Sequence, residues 1–381
     1  MSRDLNDLHR AGELEDMDAP ENVPEAAPAA ASEAAPRWIA QTSAKIVGPA
    51  LERMLARWEG RERPIPIATE LGGSLSSLTM LRPGTHVLVG GTGSGKNQLA
   101  LQLALHAARE GHSVTYIGLE LDAVALTARL LALLAPPGQW SDLEWPEPGK
   151  LHSGEALKRA RDAAATLEAL PLSCIFADTK GERGLNADDV GEIMRQAAES
   201  AAPDRPALVV LDFLQLLSAS PAVYEDRDLR QRISRASYRI NDATRDGRVV
   251  ALLVSSTARG EGRYDDLDLL APRPGSPDEH VGWGKESGEI EYAATSVLVL
   301  RKVKQQPGHR AVALAKNRHG YTGWAGLEWN GTAFQGNGGT WQEMRAVARA
   351  DEAAKAAEAA RTLGGRGRGG QRPKPKPMQE P

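Results

Sequence analysis

The chain is 381 residues long and carries 46 Lys and Arg against 50 Asp and Glu, a formal charge of −4 at pH 7. At 41% apolar and 25% charged it is composed like a globular protein. It holds no run near the ~18 uninterrupted apolar residues of a membrane span, and its acidic start lacks the apolar core of a signal peptide. The single cysteine, Cys174, excludes an intrachain disulfide framework and fits a reducing, cytoplasmic setting.

Residues 1–36 hold nine acids against Arg3 and Arg10 among Ala and Pro, a net −7. So little apolar surface cannot offset the entropy of ordering, which predicts a disordered acidic arm. Residues 37–63 predict a helical linker unit. Trp38, Ile39, Ile46, Val47, Leu51, Met54, Leu55 and Trp58 recur at roughly helical spacing, with an interruption at Gly48-Pro49 and with Pro64 and Pro66 after it. One large domain, 64–340, follows. Its apolar runs 86–90, 113–120, 172–178, 207–217 and 249–256 predict strands, and 97–110, 122–135, 187–200 and 228–247 predict the helices between them. Continuous apolar strands alternating with helices imply an α/β fold whose mostly parallel, twisted sheet is flanked by helices. Three more strands, 294–303, 309–317 and 323–331, have short connections and predict an antiparallel edge. Residues 341–381 comprise an Ala-rich helix, Met344 to Leu363, and a basic tail from 361 with six bases against Glu380. The tail is expected to be disordered; phosphate contacts with nucleic acid and plain solubilisation are both open for it.

The chemistry concentrates where strands end. Gly90-Gly91-Thr92-Gly93-Ser94-Gly95-Lys96 fits G-x-x-x-x-G-K, between an apolar strand and an amphipathic helix. Its glycines let successive N–H groups turn onto phosphate oxygens. Lys96 adds a charge for the β- and γ-phosphates, and the helix opened by Asn97 and Gln98 presents its positive end. Asn97 stands where a Ser or Thr hydroxyl ordinarily binds Mg²⁺. Its amide oxygen either keeps a weakened metal site or leaves a nucleotide that is bound and barely turned over. If a hydroxyl is what the site lacks, Asn97→Thr should raise turnover. Asp212 ends the run 208–211 at the crevice where α/β sheets bind ligands, where a carboxylate can hold Mg²⁺ directly or through water. Glu120 also ends a strand and can polarise an attacking water.

Six ordered blocks resemble a known family: GGTGSGKN, YIGLELDAVALTARLLALLA, LVVLDFLQLL, RISRASYRINDATRDGRVVALLVSSTARG, KESGEIEYAATSVLVL and ALAKNRHGYTGWAGLEW. They are similar to the RecA-like motor domain of DnaB-type replicative helicases, over about residues 67–335. The resemblance implies a RecA-like P-loop NTPase core using ATP and Mg²⁺, with Glu120 as general base, Asp212 as magnesium ligand and Arg129 near the nucleotide. It implies that Lys316 and Arg318, within Lys316-Asn317-Arg318-His319-Gly320, reach the γ-phosphate from the adjacent subunit. Cations supplied in trans neutralise charge developing in the transition state and tie hydrolysis to assembly.

Lys285-Glu286-Ser287-Gly288 resembles the family's DNA-backbone turn, which tracks phosphates of single-stranded DNA regardless of sequence. It sits in a net acidic loop, 259–287, that also holds Arg259 and is expected to face a central channel, with Tyr264 and Trp283 as candidates for base stacking. Phe213 replaces the family's usual Tyr, and Ser255-Ser256 replaces a Ser-Gln pair whose Gln senses the γ-phosphate. Where the family usually has a sizeable helical N-terminal domain, the expectation here is the acidic arm followed by the 37–63 unit, which takes the place of the family's linker helix. The expected function is an ATP-dependent 5′→3′ DNA helicase, a hexamer around single-stranded DNA with other replication proteins as candidate partners and no membrane association. The alternative, favoured by Asn97 and Ser256, is a RecA-fold, nucleotide-dependent DNA-binding assembly or loading protein with weak or no ATPase. A strand-pairing recombinase fits the later blocks less well.

Overall fold

The computed structural model describes residues 43–67, 71, 73–134, 154–176, 184–219, 228–245, 247–258, 265–271, 276–284, 288–336 and 341–366. The acidic arm, Trp38, Ile39 and the tail beyond 366 lie outside the described residues. The chain forms two compact units, Met1–Leu55 and Ala56–Pro381. The described part of the first is most of helix α1, Ser43–Trp58. The sequence reading interrupts this helix at Gly48-Pro49, yet it runs on through Pro49. Proline removes one i→i−4 bond and crowds one carbonyl, and the strong helix formers from Leu51 to Arg57 carry the helix past that local cost.

The second unit holds α2 (Gly73–Leu78), β1 (Gly84–Gly90), α3 (Lys96–Arg109), β2 (Val114–Gly118), α4 (Ala123–Leu134), α5 (Gly154–Glu168), β3 (Leu172–Phe176) and α6 (Ala187–Ser200). It continues with β4 (Ala207–Asp212), α7 (Leu229–Ala243), β5 (Val249–Ser256), α8 (Gly288–Ala293), β6 (Ser296–Lys302), β7 (His309–Asn317), β8 (Gly323–Trp329), β9 (Phe334–Gln335) and α9 (Trp341–Arg366). The sheet has nine strands in the order β3-β2-β4-β5-β1-β6-β7-β8-β9. Neighbours from β3 to β6 are parallel, and β7, β8 and β9 add antiparallel strands at one edge.

Alternation along each strand divides the interior into two cores. Leu88, Leu208, Val210, Leu252 and Val254 face α3 and α4 and pack with Leu99, Leu103, Leu126 and Leu130. Val87, Val89, Val209, Leu211 and Leu253 face α6 and α7 and pack with Val190, Met194, Ile233 and Ile240. Each such fully buried Leu, Val or Ile contributes about 1.5–3 kcal/mol. A polar contact threads between strands: His86 Nε2 lies 2.7 Å from the Arg82 carbonyl and must donate to it, so Nδ1 accepts from Ser296 Oγ at 2.7 Å. Burial pushes the His86 pKa down to about 4, keeping the ring neutral.

Three departures from the sequence reading have physical causes. The strand expected over 207–217 stops at Asp212, and Leu214–Leu216 forms a 3₁₀ turn. Leu214 and Leu217 are both buried, and their spacing of three matches that helix rather than a strand. Helix α5 is absent from the sequence reading because its apolar residues are mostly alanines, which give little periodic contrast. Helix α9 runs to Arg366, into the segment read as tail.

Candidate active site

Parallel strands deliver their C-terminal ends to one edge of the sheet. Gly90 pairs with Ser256, and Gly118 pairs with Asp212. The loop Gly91–Gly95, the acid Glu120 just beyond β2, and Asp212 at the end of β4 therefore share that edge.

The loop is held from several sides. Gly93 and Gly95 have φ of 69° and 94°, left-handed values that glycine adopts without strain. Ser94 N donates to Gly91 O at 3.1 Å, and Leu99 N donates to Gly95 O at 3.0 Å as α3 begins. A Cβ on Gly95 would stand 2.6 Å from Phe334 Cζ. Arg310, on β7, donates Nε to Ser94 O at 3.0 Å and Nη1 to Pro307 O and His309 O. Lys302 Nζ, at the end of β6, lies 3.2 Å from the Cβ position of Gly93, a second ammonium over the loop besides Lys96. Burial draws the Lys96 pKa below its usual range, and the carboxylates of Glu120 and Asp212 partly restore it.

The two acids have different surroundings. Asp212 Oδ2 accepts from the Tyr116 hydroxyl at 2.5 Å, whereas Oδ1 is buried with no partner among the described residues. Burial raises its pKa to about 6; the Tyr116 bond lowers it, Glu120 raises it, and Lys96 and Arg129 lower it. Tyr116 itself is pushed well above its ordinary value by burial and by Asp212. Glu120 is exposed and accepts from Asn97 Nδ2 at 2.8 Å. Ser94 Oγ and both amide atoms of Gln98 are also buried without partners among the described residues. An unbonded carboxylate oxygen and an amide oxygen beside a phosphate loop fit Mg²⁺, which takes one or two protein ligands and completes its shell with phosphate and water. Among the described residues no group of three or more His, Cys, Asp or Glu is placed to hold a metal ion. At the end of β5, Gln215 Nε2 donates to Ser255 Oγ at 2.9 Å and Ser256 N donates to Gln215 Oε1 at 3.4 Å, which ties the turn after β4 to the end of β5.

Residues 76–335 match the DnaB-like helicase C terminal domain family. The chain belongs to that family. Among solved structures it is similar to an ATPase domain, with a TM-score of 0.61 at 18% identity over 78% of this chain and 99% of that one. It is also similar to a DnaB-like replicative helicase solved with attention to its interactions with primase, with a TM-score of 0.60 at 18% identity over 76% of this chain and 68% of that one. Both likenesses show the fold. Curated relatives include the signal recognition particle 54 kDa proteins of Staphylothermus marinus, 24% identical over 58% of this chain and 44% of that protein, and of Saccharolobus islandicus, 24% identical over 56% and 43%. The chain spans less than half the length of these relatives.

In this DnaB-like domain the hairpin with Lys316 and Arg318 lies elsewhere. Asn317 pairs with Ser296, which pairs with His86 at the start of β1, so the hairpin sits at the opposite edge of the sheet from the phosphate loop. Asn317 shapes its tip, accepting from His319 N at 3.0 Å and donating to Tyr321 O at 3.2 Å. Lys316 Nζ donates to Glu291 O and Tyr292 O, and Arg318 Nη2 to Tyr292 O, so both cations rest on the last carbonyls of α8. Burial first, and then Arg318, lowers the Lys316 pKa.

Of the expected DNA contacts, Arg259, Lys285 and Glu286 lie outside the described residues, as does Tyr264; Gly288 opens α8. The flanks of that loop are described. Ala258 N donates to Trp283 O at 2.7 Å, and the buried Glu291 carboxylate accepts from Gly282 N and from Gly284 N, the latter at 2.6 Å. Trp283 is half-buried, stacked at 4.2 Å on His280 and covered at 4.9 Å by Arg301. These neighbours cover part of the ring that the sequence reading offers for base stacking. No helix among the described residues is long and apolar enough to cross a membrane.

Proposed function

We propose that this DnaB-like domain is an ATP-dependent DNA helicase, a hexameric motor that moves 5′→3′ on single-stranded DNA and hydrolyses ATP at the junctions between subunits. The observation that carries the reading is the placement of the two halves of the site. Ser296, opposite Asn317, pairs with His86, four residues before Gly90. At about 3.3 Å per residue this sets the hairpin roughly 13 Å behind the start of the phosphate loop. Lys316 and Arg318 thus serve the phosphates of a neighbouring chain rather than their own.

The residues divide the work. The N–H groups of Gly90–Lys96, with Gln98 and Arg129 beside them, bind and orient the nucleotide. Asp212 and Asn97 hold Mg²⁺, which when bound offsets the charge of the β- and γ-phosphates. Glu120 orients the attacking water and accepts its proton. Lys96, with Lys316 and Arg318 from the neighbour, counters the charge that grows on the transferred phosphate. Lys285, Glu286, Gly288 and Arg259 line the DNA path, with Lys285 pairing to backbone phosphates. In the chain that segment joins the end of β5 to α8. The arm 1–36, linker unit 37–63, motor 64–340 and tail 341–381 form the proposed domain plan, in a soluble cytoplasmic protein that works with other replication proteins.

The test is steady-state ATPase with Mg²⁺, with and without single-stranded DNA, at a known oligomeric state. Turnover stimulated by DNA in a ring-sized oligomer is expected, and a mixture of Lys96→Ala and Arg318→Ala chains should recover turnover that neither variant shows alone. Tight ATP binding without turnover in either condition would sink the motor reading. It would favour the second one, a nucleotide-gated assembly or loading protein, which rests on Asn97 standing where a hydroxyl is usual.

A further inference from the structure

We infer that Asn97 is a positioning residue for Glu120, its carboxamide joining the metal site to the general base. The inference rests on the hydrolysis reading above. A serine or threonine at this position offers one oxygen and one hydrogen on the same atom, so a metal-bound hydroxyl has a single donor left. A carboxamide separates the functions: Oδ1 accepts only, and Nδ2 carries two hydrogens. In this chain Nδ2 donates to Glu120 Oε2 at 2.8 Å, which leaves Oδ1 as the oxygen for a cation. Reversing the amide would put two acceptor oxygens at that distance, so the chemistry permits one orientation.

Asn97 is what directs the Glu120 side chain. Leu119 N donates to Asp212 O at 2.7 Å and fixes the backbone at the end of β2. The carboxylate beyond it is exposed, and among the described residues no other donor bonds it. Without Asn97 an exposed glutamate samples several rotamers, of which few face the phosphate loop. The replacement of the hydroxyl is therefore a rewiring of the site: one side chain on α3 sets both the cation and the base.

The experiment uses the full chain and three variants. Asn97→Asp is isosteric and keeps an oxygen for Mg²⁺, but it turns the donor into an acceptor that repels Glu120. It should lower kcat by about tenfold or more, the scale of one hydrogen bond to a charged group, and by a clearly larger factor than it changes Mg²⁺-dependent affinity for a fluorescent ADP. In the Glu120→Gln background Asn97→Asp should cost no further turnover. Melting of the nucleotide-free protein gives a readout apart from activity. Asn97→Asp should lower Tm, and the double variant Asn97→Asp/Glu120→Gln should restore it, because donor and acceptor have changed places. Undiminished kcat in Asn97→Asp would overturn the inference. So would a parallel loss of ADP affinity and kcat, an equal loss in the Glu120→Gln background, or no recovery of Tm in the double variant. A wild type that binds Mg·ATP without turnover overturns the hydrolysis reading and this one with it. Wild-type turnover that survives Asn97→Asp overturns this one alone.

Discussion

Gly95→Ala tests how tightly the phosphate loop is built into the fold. Gly95 has φ 94° and caps α3, a conformation that costs an L-residue about 1–2 kcal/mol. The new methyl would also stand 2.6 Å from Phe334 Cζ and 3.1 Å from Cε2. The ring cannot easily give way. It is fully buried, its backbone exchanges two hydrogen bonds with the Gln102 amide at 2.7 and 3.0 Å, and Trp329 packs 4.7 Å away. Overpacking of this kind costs about 1–3 kcal/mol. The sum, about 2–5 kcal/mol, is a large share of the roughly 5–15 kcal/mol that holds a typical domain together. Urea unfolding of Gly95→Ala, of Phe334→Leu and of the double variant separates the parts. In the Phe334→Leu background Gly95→Ala should cost about 1–3 kcal/mol less, since only the backbone strain remains. Affinity for a fluorescent nucleotide should fall in Gly95→Ala as the N–H groups of the loop move. A wild-type midpoint with wild-type nucleotide affinity would refute the reasoning, and an unchanged cost in the Phe334→Leu background would refute its steric half.

Gly191→Ala should do the opposite. Gly191 lies inside α6, where its Cβ would meet Arg239 Cβ of α7 at an ordinary 3.4 Å, and the gain in helix propensity should raise stability by about 0.5–1 kcal/mol, readable as a higher urea midpoint. Tyr116→Phe removes the donor that lowers Asp212, so burial should push that carboxyl further above its value of about 6. The Mg²⁺ concentration for half-maximal nucleotide binding should then rise, more at pH 6 than at pH 8; matching curves for variant and wild type would count against Asp212 as the metal ligand. His86, held neutral with a folded pKa of about 4 against 6.5 in the unfolded chain, should make stability fall as pH drops from 6.5 towards 4, because the unfolded chain alone takes up that proton. Asp212 works the other way between 3.8 and about 6, so urea titrations are best run on Asp212→Asn, where a flat profile from pH 6.5 to 4.5 would contradict the buried neutral ring.

Much of the sheet is legible in the sequence because its strands are continuous apolar runs with clear stops. The runs 249–256 and 309–317 coincide with β5 and β7, and 187–200 with α6, whose start is marked by the Asn186–Asp189 capping box. The phosphate loop is legible for the same local reason. Less legible are the parts that come from sheet order. Lys302 beside Gly93, Arg310 on the Ser94 carbonyl and Phe334 on Gly95 follow from the sheet order β1-β6-β7-β8-β9, which carries β6, β7 and β9 past the loop. Tyr116 reads as an ordinary strand residue until Gly118 is paired with Asp212, which brings the hydroxyl under the carboxylate. Gln215 reads as one of a strand's residues until the 3₁₀ turn directs it to Ser255 and Ser256. Gln215 three residues after Asp212, with Ser256 where the family's pattern has glutamine, is the local hint of that contact.

The separation of the phosphate loop from the Lys316–Gly320 hairpin, at opposite ends of the same strands, has a consequence for counting. In an assembly that joins the loop edge of one chain to the hairpin edge of the next, an open row always has one fewer complete site than chains, and only closure makes the two numbers equal. Mixed populations inherit the same arithmetic. In such an assembly, with Lys96 serving its own chain's site and Arg318 the neighbour's as proposed above, a chain altered at Lys96 alone would silence the junction on one side of it, and a chain altered at Arg318 alone would silence the other. A chain altered at both silences two junctions. The curve of activity against the fraction of altered chains therefore falls twice as steeply at its start for the double variant as for either single one.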